Sequence, residues 1–464
     1  MRHLAAGLLL LALPASGQDS PAISTQQAAF EPAEGWGVLL FASEAEGLEN
    51  PIQMRFDARG RLWVLCTPSY PQAEPGVEPD DRVVILEDGN HDGRADRSTV
   101  FVRGLHTPTG LDVLADGSGC LVLHGRELLL LRDADGDGRA DSRETLVRGF
   151  GVEAIHQGVH GLHLDPLGRL WLDQGAATSS RLETRQGTVA LSGAGAWRFD
   201  PRHWHWQAFP APAGVANPRG RAFDRSGTPW SADAEGGGIR RSGQAGEPAA
   251  PGAFHALLWL ESSHVPAAWR GRLLAASPDT RRVEAFTPGA GLPPAGTFLS
   301  SSHDSFRPVD LQLGPEGAVY VCDEFDPLAG PDAASLRHPT RDRLRGRIWR
   351  LAAEDLPPAE PRDWVKESPA LWLGLLDHPD TYPRTAARRL LLEARPEDVL
   401  PGLRTGLTQS ISAEAAASAL GIALRHGDRA AAEACLARLQ AADDPRWSAL
   451  REEGQAALRS LVSP

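Results

Sequence analysis

Lysine is almost missing from this chain of 464 residues: of its 47 basic residues only Lys366 is a lysine, and the other 46 are arginine. No side-chain amine is therefore available before residue 366 for Schiff-base or acid–base chemistry. Cysteine is scarce too. The four present, Cys66, Cys120, Cys322 and Cys435, have neither CxxC nor CxxCH spacing, which argues against covalent haem and a Cys-type zinc site. Cys66, Cys120 and Cys322 each lie in an apolar, strand-like run, so buried free thiols are expected there rather than disulfides. One long apolar run occurs, Leu4 to Leu13, preceded by Arg2 and followed by Ala15-Ser16-Gly17. It is too short to span a bilayer, and the small-x-small form marks residues 1–17 as a secretory signal peptide. A periplasmic or secreted chain without a transmembrane segment follows as the expectation. Net positive charge is lacking as well: the formal charge is −13, which disfavours nucleic acid and anionic membranes and suits cations. A P-loop, HExxH, GxSxG and a strand-borne GxGxxG are all absent.

Glycine (48) and proline (37) are abundant, which disfavours a largely helical enzyme. They recur in order. A Pro-like residue is followed nine residues later by a Gly and then a strand: Pro51 to Gly60, Pro108 to Gly117, Val159 to Gly168, Pro218 to Gly227 and Pro308 to Gly317. A weaker copy ends at Gly271. The six units, spaced 44 to 59 residues apart, have the size of four-stranded propeller blades. An all-β six-bladed propeller over residues 30–353 is predicted, closed by pairing Trp36–Phe41 with Gly346–Leu351; a seventh blade could hide in 180–210. Residues 365–464 carry Ala-rich helical spacing and read as a small all-α HEAT-like region that caps or packs against the propeller.

Two acidic loops repeat at an offset of 45 residues. In the second, Asp133, Asp135, Asp137, the Arg139 carbonyl, Asp141 and Glu144 occupy positions 1, 3, 5, 7, 9 and 12 of a twelve-residue calcium loop. The first has Asp88, Asn90, Asp92 and Asp96, but Thr99 where the bidentate carboxylate belongs. Strand-like flanks make these hairpins rather than helix–loop–helix sensors, so the expected role of calcium is to stiffen a blade rim.

Residues that lead into innermost strands face a propeller's axial opening, where ligands bind. The nine-residue interval picks out Asn50, Thr107, Gly158, Asn217 and Arg307, with Glu261 from the weak copy; beside them lie His106, His156, Gln157, His160, Arg219 and Asp310. Such a funnel can orient a polar ligand, and histidine suits abstraction of a hydroxyl proton. Each residue also has a plainer use: one of His156, His160 and His163 as a structural hydrogen-bonder, Arg307 in a salt bridge with Asp310 or Asp304, Asn217 in turn chemistry.

The segments LLLLRDADGDGRADSRETLVRGFG, VANPRGRAFDRSGTPWSADAEGGGI and FRPVDLQLGPEGAVYVCDEFD, with LLDHPDTYPRTAARRLLLEA farther on, resemble the membrane-bound dehydrogenase propellers of planctomycetes and related bacteria. Longer members of that family carry a CxxCH cytochrome module. More distantly, the propeller is similar to soluble quinoprotein glucose and sorbosone dehydrogenases. The resemblance implies His156 or His160 as catalytic base, and Asn217 and Arg307 as contacts of pyrroloquinoline quinone; the neighbouring Arg219 and Asp310 complete the candidate cofactor-binding set. It also implies oxidation of a sugar or sugar-derived alcohol or aldehyde, with a separate cytochrome or other protein as electron acceptor. The alternative, favoured by the missing lysine, is a noncatalytic propeller and HEAT scaffold that binds a glycan or a partner protein through the axial funnel.

Overall fold

The computed structural model describes residues 21–241, 246–289, 291–328, 335–409 and 411–461. The signal-peptide segment, residues 1–17, lies outside them. Six blades surround an axis. Four strands each make blade I (from Pro51–Phe56 to Arg97–Leu105), blade II (Pro108–Val113 to Ser142–Arg148) and blade III (Val159–Leu164 to His205–Pro210). Among the described residues blade IV has three strands, Pro218–Phe223, Pro229–Asp233 and Ile239–Arg241. Blade V, from Ala256–Leu260 to Pro294–Ser301, gains Phe30–Pro32 as an outer fifth strand. Blade VI joins Pro308–Leu313, Val319–Asp323 and Arg347–Ala353 to the N-terminal strand Trp36–Ala42. The ring thus closes through the predicted pair, with Val38 opposite Leu351. No seventh blade appears among the described residues; the 180–210 region supplies a hairpin, Ser179–Thr184 with Gly187–Ser192, inserted into blade III.

The repeated glycine has a steric cause. Gly60, Gly168 and Gly227 sit at φ of 86°, 78° and 78°, the left-handed region that a side chain strains to adopt. Each closes a turn organised by an aspartate. The Asp57 carboxylate accepts from Arg61 Nε (2.8 Å) and Trp63 Nε1 (2.9 Å), and Asp165 accepts likewise from Arg169 Nε (2.6 Å) and Trp171 Nε1 (3.0 Å). Between blades the packing is apolar, with Trp63, Trp197 and Trp349 fully buried. All four cysteines are free and buried inside this packing and the helical region.

The turn face of the propeller is covered by the C-terminal helices, which run from Pro369–Gly374 to Ser448–Ser460. Helix Thr381–Glu393 lies nearest the axis. Its Tyr382 hydroxyl donates to the Asp57 carbonyl (2.7 Å), its Arg389 makes a two-pronged bond to Asp112 (2.9 and 3.0 Å), and its Glu393 accepts from Ala115 N (2.9 Å). Gly421 on helix Ala413–Arg425 lets backbone meet backbone: a Cβ there would lie 2.4 Å from the Pro166 carbonyl oxygen. The helical region is therefore docked as a cap on one end of the axis, and the strand entries lie at the opposite, mouth face.

Candidate active site at the propeller axis

Five of the six innermost strands shift register near their start, as between Pro51 and Gln53, His160 and His163, and Pro218 and Gly220. A bulge re-aims a side chain without ending the strand. The residue after each Pro-like position, Ile52, Thr109, His160, Arg219 or Val309, lines a small axial cavity of about 60 Å³. His163, His255 and Asp310 line it as well.

His160 is the best-defined group here. It is buried, and its Nε2 lies 3.1 Å from Asn217 Oδ1. Asn217 is held by its own backbone N–H to Asp233 (2.7 Å), and its Nδ2 donates to the His156 carbonyl (3.2 Å). That second bond assigns the amide orientation: the oxygen faces His160, so Nε2 carries the proton and Nδ1 is a lone pair. His160 Nδ1 has no partner among the described residues. Burial, and then the nearby Arg219 charge, push the imidazole pKa down to about 3, so His160 is neutral at physiological pH. His255 is depressed well below the ordinary range by burial, then Arg219 and Arg307, and its Nδ1 is also unpaired.

His156 is placed differently. Its Nδ1 lies 2.5 Å from the Tyr70 hydroxyl. Burial, then the Glu324 charge, raise the Tyr70 phenol above its ordinary value, so Tyr70 stays protonated and its hydroxyl engages His156 Nδ1. Of the two histidines proposed from sequence, His160 carries a buried ring nitrogen without a partner among the described residues, whereas His156 Nδ1 is bonded to Tyr70.

The other candidates divide. Arg307 is close enough to influence Tyr70 and His255, but its guanidinium is engaged by Glu324 (2.9 Å) and the Leu328 carbonyl (2.5 Å). Asp310 borders the cavity with its carboxylate bonded to Met54 N (2.8 Å), Arg55 Nη1 (3.0 Å) and Leu311 N (2.9 Å), an arrangement that ties blade VI to blade I. Arg219 borders the cavity with no hydrogen bond or ion pair among the described residues. Arg341 stands over the Tyr70 ring at 5.8 Å, while Arg343 reaches Glu74 (3.1 Å) and the Gln72 carbonyl (3.3 Å), so the mouth is covered. Beside it a groove of about 560 Å³ runs between blades II and III, lined by His106, His124, Arg126 and Arg143.

Tyr70, His255 and Arg341 were not singled out from sequence. His255 falls in the weak fifth copy, where no nine-residue interval fixes the register; Tyr70 and Arg341 come from long loops outside the repeat. The signal for Arg219 was there: its repeat position holds Ile52, Thr109 and Val309 elsewhere, and a charge in that series stands out.

In the acidic loops, Asp133, Asp135 and Asp141 bring one carboxylate oxygen each within 4.8 Å of one another. Asp137 and Glu144 are not part of that group; Asp137 accepts from Arg139 N (2.8 Å), and Glu144 lies in a strand opposite Leu130. In the first loop Asp96 accepts from Gly89 N (2.8 Å) and Asn90 N (3.0 Å), and Asp88 from Gly93 N (2.9 Å). Both loops dock on the adjoining blade: Ala95 N donates to the Phe41 carbonyl and Ala140 N to the Phe101 carbonyl, each at 2.9 Å.

Residues 22–241 match a domain family described as a domain of unknown function, DUF7133. No curated protein matches the chain significantly. Similar solved structures include a glucose dehydrogenase, 16% identical with a TM-score of 0.47, covering 68% of this chain and 98% of that one. The pyranose dehydrogenase PQQ domain from Coprinopsis cinerea is 14% identical with a TM-score of 0.42, covering 70% of this chain and 97% of that one. A Trichoderma reesei carbohydrate-active enzyme of family AA12, in its calcium structure, is 15% identical with a TM-score of 0.45, covering 70% and 97%.

Proposed function

We propose that the chain is an exported, dehydrogenase-like propeller that acts on a small polar hydroxyl- or aldehyde-bearing substrate at the mouth end of the axis. The observation that carries this reading is the bond from His160 to Asn217, which leaves a neutral, unpartnered Nδ1 lone pair on a residue that lines the cavity. In this role His160 accepts the hydroxyl proton, Asn217 fixes its tautomer, Arg219 supplies positive charge, and the hydride passes to a separate two-electron acceptor, for which a dye stands in below. A base of such low pKa takes the proton only as negative charge builds on the substrate oxygen during the reaction.

A resident pyrroloquinoline quinone does not fit the axial residues as they stand. About 60 Å³ is far below the roughly 300 Å³ at which ligand pockets of that size begin. Arg307 is taken by Glu324, and the only lysine lies in the helical region. The groove between blades II and III is large enough for a sugar or for part of an electron acceptor.

A second reading, a noncatalytic propeller that binds a glycan or partner, is favoured by the cover that Arg341 and Tyr70 place over the mouth. Dye reduction by the purified chain with calcium, with and without the quinone, across a panel of aldoses and their acids separates the two. Substrate-dependent reduction that is lost in His160→Ala supports the enzyme; no turnover under any condition, with ligand binding retained, supports the scaffold.

We also propose that the loop Asp133 to Asp141 holds calcium, supported by its three gathered carboxylates, and that the ion stiffens the seam between blades I and II.

A further inference from the structure

Five arginines crowd the axis, and four have a carboxylate each. Arg55 pairs with Asp310 (3.0 Å), Arg307 with Glu324 (2.9 Å), Arg341 with Asp326 (2.7 Å), and Arg221 with Asp173. Arg219 is the odd one: half-buried, bordering the cavity and unpartnered among the described residues. A half-buried guanidinium that borders a cavity without a counter-charge is suited to an anion.

The second observation is the neighbouring imidazole. His160 is 4% exposed, and its Nδ1 is a buried acceptor with nothing to accept from. An acceptor calls for a donor, which halide and acetate cannot supply. Water satisfies the acceptor but not the cation. A ligand that meets both needs carries a negative charge and a hydroxyl close together. Size narrows it further: at roughly 10–15 Å³ for each water-sized group, the cavity of about 60 Å³ takes about four to six heavy atoms.

We infer that the axial cavity receives the head of a hydroxy acid, its carboxylate on Arg219 and its adjacent hydroxyl donating to His160 Nδ1. This deepens the proposed function, on whose axial site it rests, by moving the substrate class from neutral sugar hydroxyls to hydroxy acids. The same head group belongs to a free two-carbon acid or to the acidic end of a sugar acid.

The test is binding by the full chain in low-chloride buffer, followed by calorimetric titration and melting temperature. Glycolate, acetate, ethylene glycol, glucose and gluconate are the probes. The inference predicts that glycolate binds at least tenfold tighter than acetate and that ethylene glycol and glucose leave the melt unchanged. Arg219→Gln should lose both acids, and His160→Phe should reduce glycolate to the level of acetate. Gluconate that binds as glycolate does identifies a sugar acid as the source; glycolate binding without gluconate identifies the free small acid. Glycolate no tighter than acetate in the unmodified chain, or glycolate binding undiminished in Arg219→Gln, overturns the inference. Should Arg219→Gln fail to fold, Arg219→Lys, which keeps the charge, must retain acetate binding, and its loss of acetate while folded would count against a carboxylate held by charge. Because turnover is not read, a binding protein with no oxidase chemistry passes this test, and an enzyme of neutral sugars fails it.

Discussion

The two ends of the propeller axis use the same residue types to opposite effect. At the turn face, charged groups meet their partners across the junction with the helical cap: Arg389 with Asp112, Arg384 with Glu261, Asp380 with Ser263, and Glu453 with Arg198. Arg388 departs from this pattern; its buried Nε lacks a partner, and burial with Arg384 and Arg389 nearby lowers its pKa to about 10, which leaves it protonated at neutral pH. At the mouth face, three residues that line a cavity, Arg219, His160 and His255, keep a polar group unpaired among the described residues: the guanidinium of the first and Nδ1 of the others. Polar groups spent on docking give rigidity, and polar groups withheld from it give a place to bind.

Breaking the turn face should have the largest effect. Arg389→Ala removes one partner of a buried two-pronged pair, for which a loss of about 3–5 kcal/mol in a denaturant melt is expected. Binding at the mouth should survive, and a loss of ligand affinity in the folded variant would mean that the two ends are not independent. Gly421→Ala pushes a methyl group into the Pro166 carbonyl and should cost about 1–3 kcal/mol, read by the same melt; an unchanged midpoint would place the cap less tightly than described.

The next effect depends on pH. Burial raises the Glu393 carboxyl to about 7, above its ordinary 4.5. The folded chain therefore holds a proton that the unfolded chain releases between those values, so this group's contribution to stability is full below pH 4.5, falls as pH rises to 7, and is level above. Glu393→Gln should flatten the melting temperature across that window, and a slope equal to the unmodified chain's would reject the assignment. Chelation should have the smallest effect. It is expected to lower the melting temperature by a few degrees, with calcium restoring it and Asp135→Asn reducing the response.

Much of the fold was legible because the repeat is written in backbone requirements. Glycine is the residue that adopts the left-handed region without strain, so Gly60, Gly168 and Gly227, each nine residues after a Pro-like residue, mark their blades. Blade IV with its three strands and the hairpin inserted in blade III were not legible, since strand number depends on pairing rather than on those turns. The helix Pro21–Ala28 was missed for a similar reason: its place depends on long-range bonds, such as Gln26 Nε2 to Asp323 at 2.7 Å.

At the site, the interval located the residues but not their protonation. His156 and His160 look alike in sequence; a hydroxyl from a distant loop, Tyr70, bonds the first at Nδ1, and an amide three blade-strands later, Asn217, bonds the second at Nε2 and leaves its Nδ1 open. The bulge explains why the residue after Pro218 points inward, and the arginine at that position is the feature on which the functional reading turns.

A crystal structure of the chain grown with glycolate is the most direct measurement. The account predicts density on the axis with the carboxylate at the Arg219 guanidinium and the hydroxyl within hydrogen-bond distance of His160 Nδ1. A cavity filled by water alone, with Arg219 turned to bulk solvent or paired with a protein carboxylate, would contradict it.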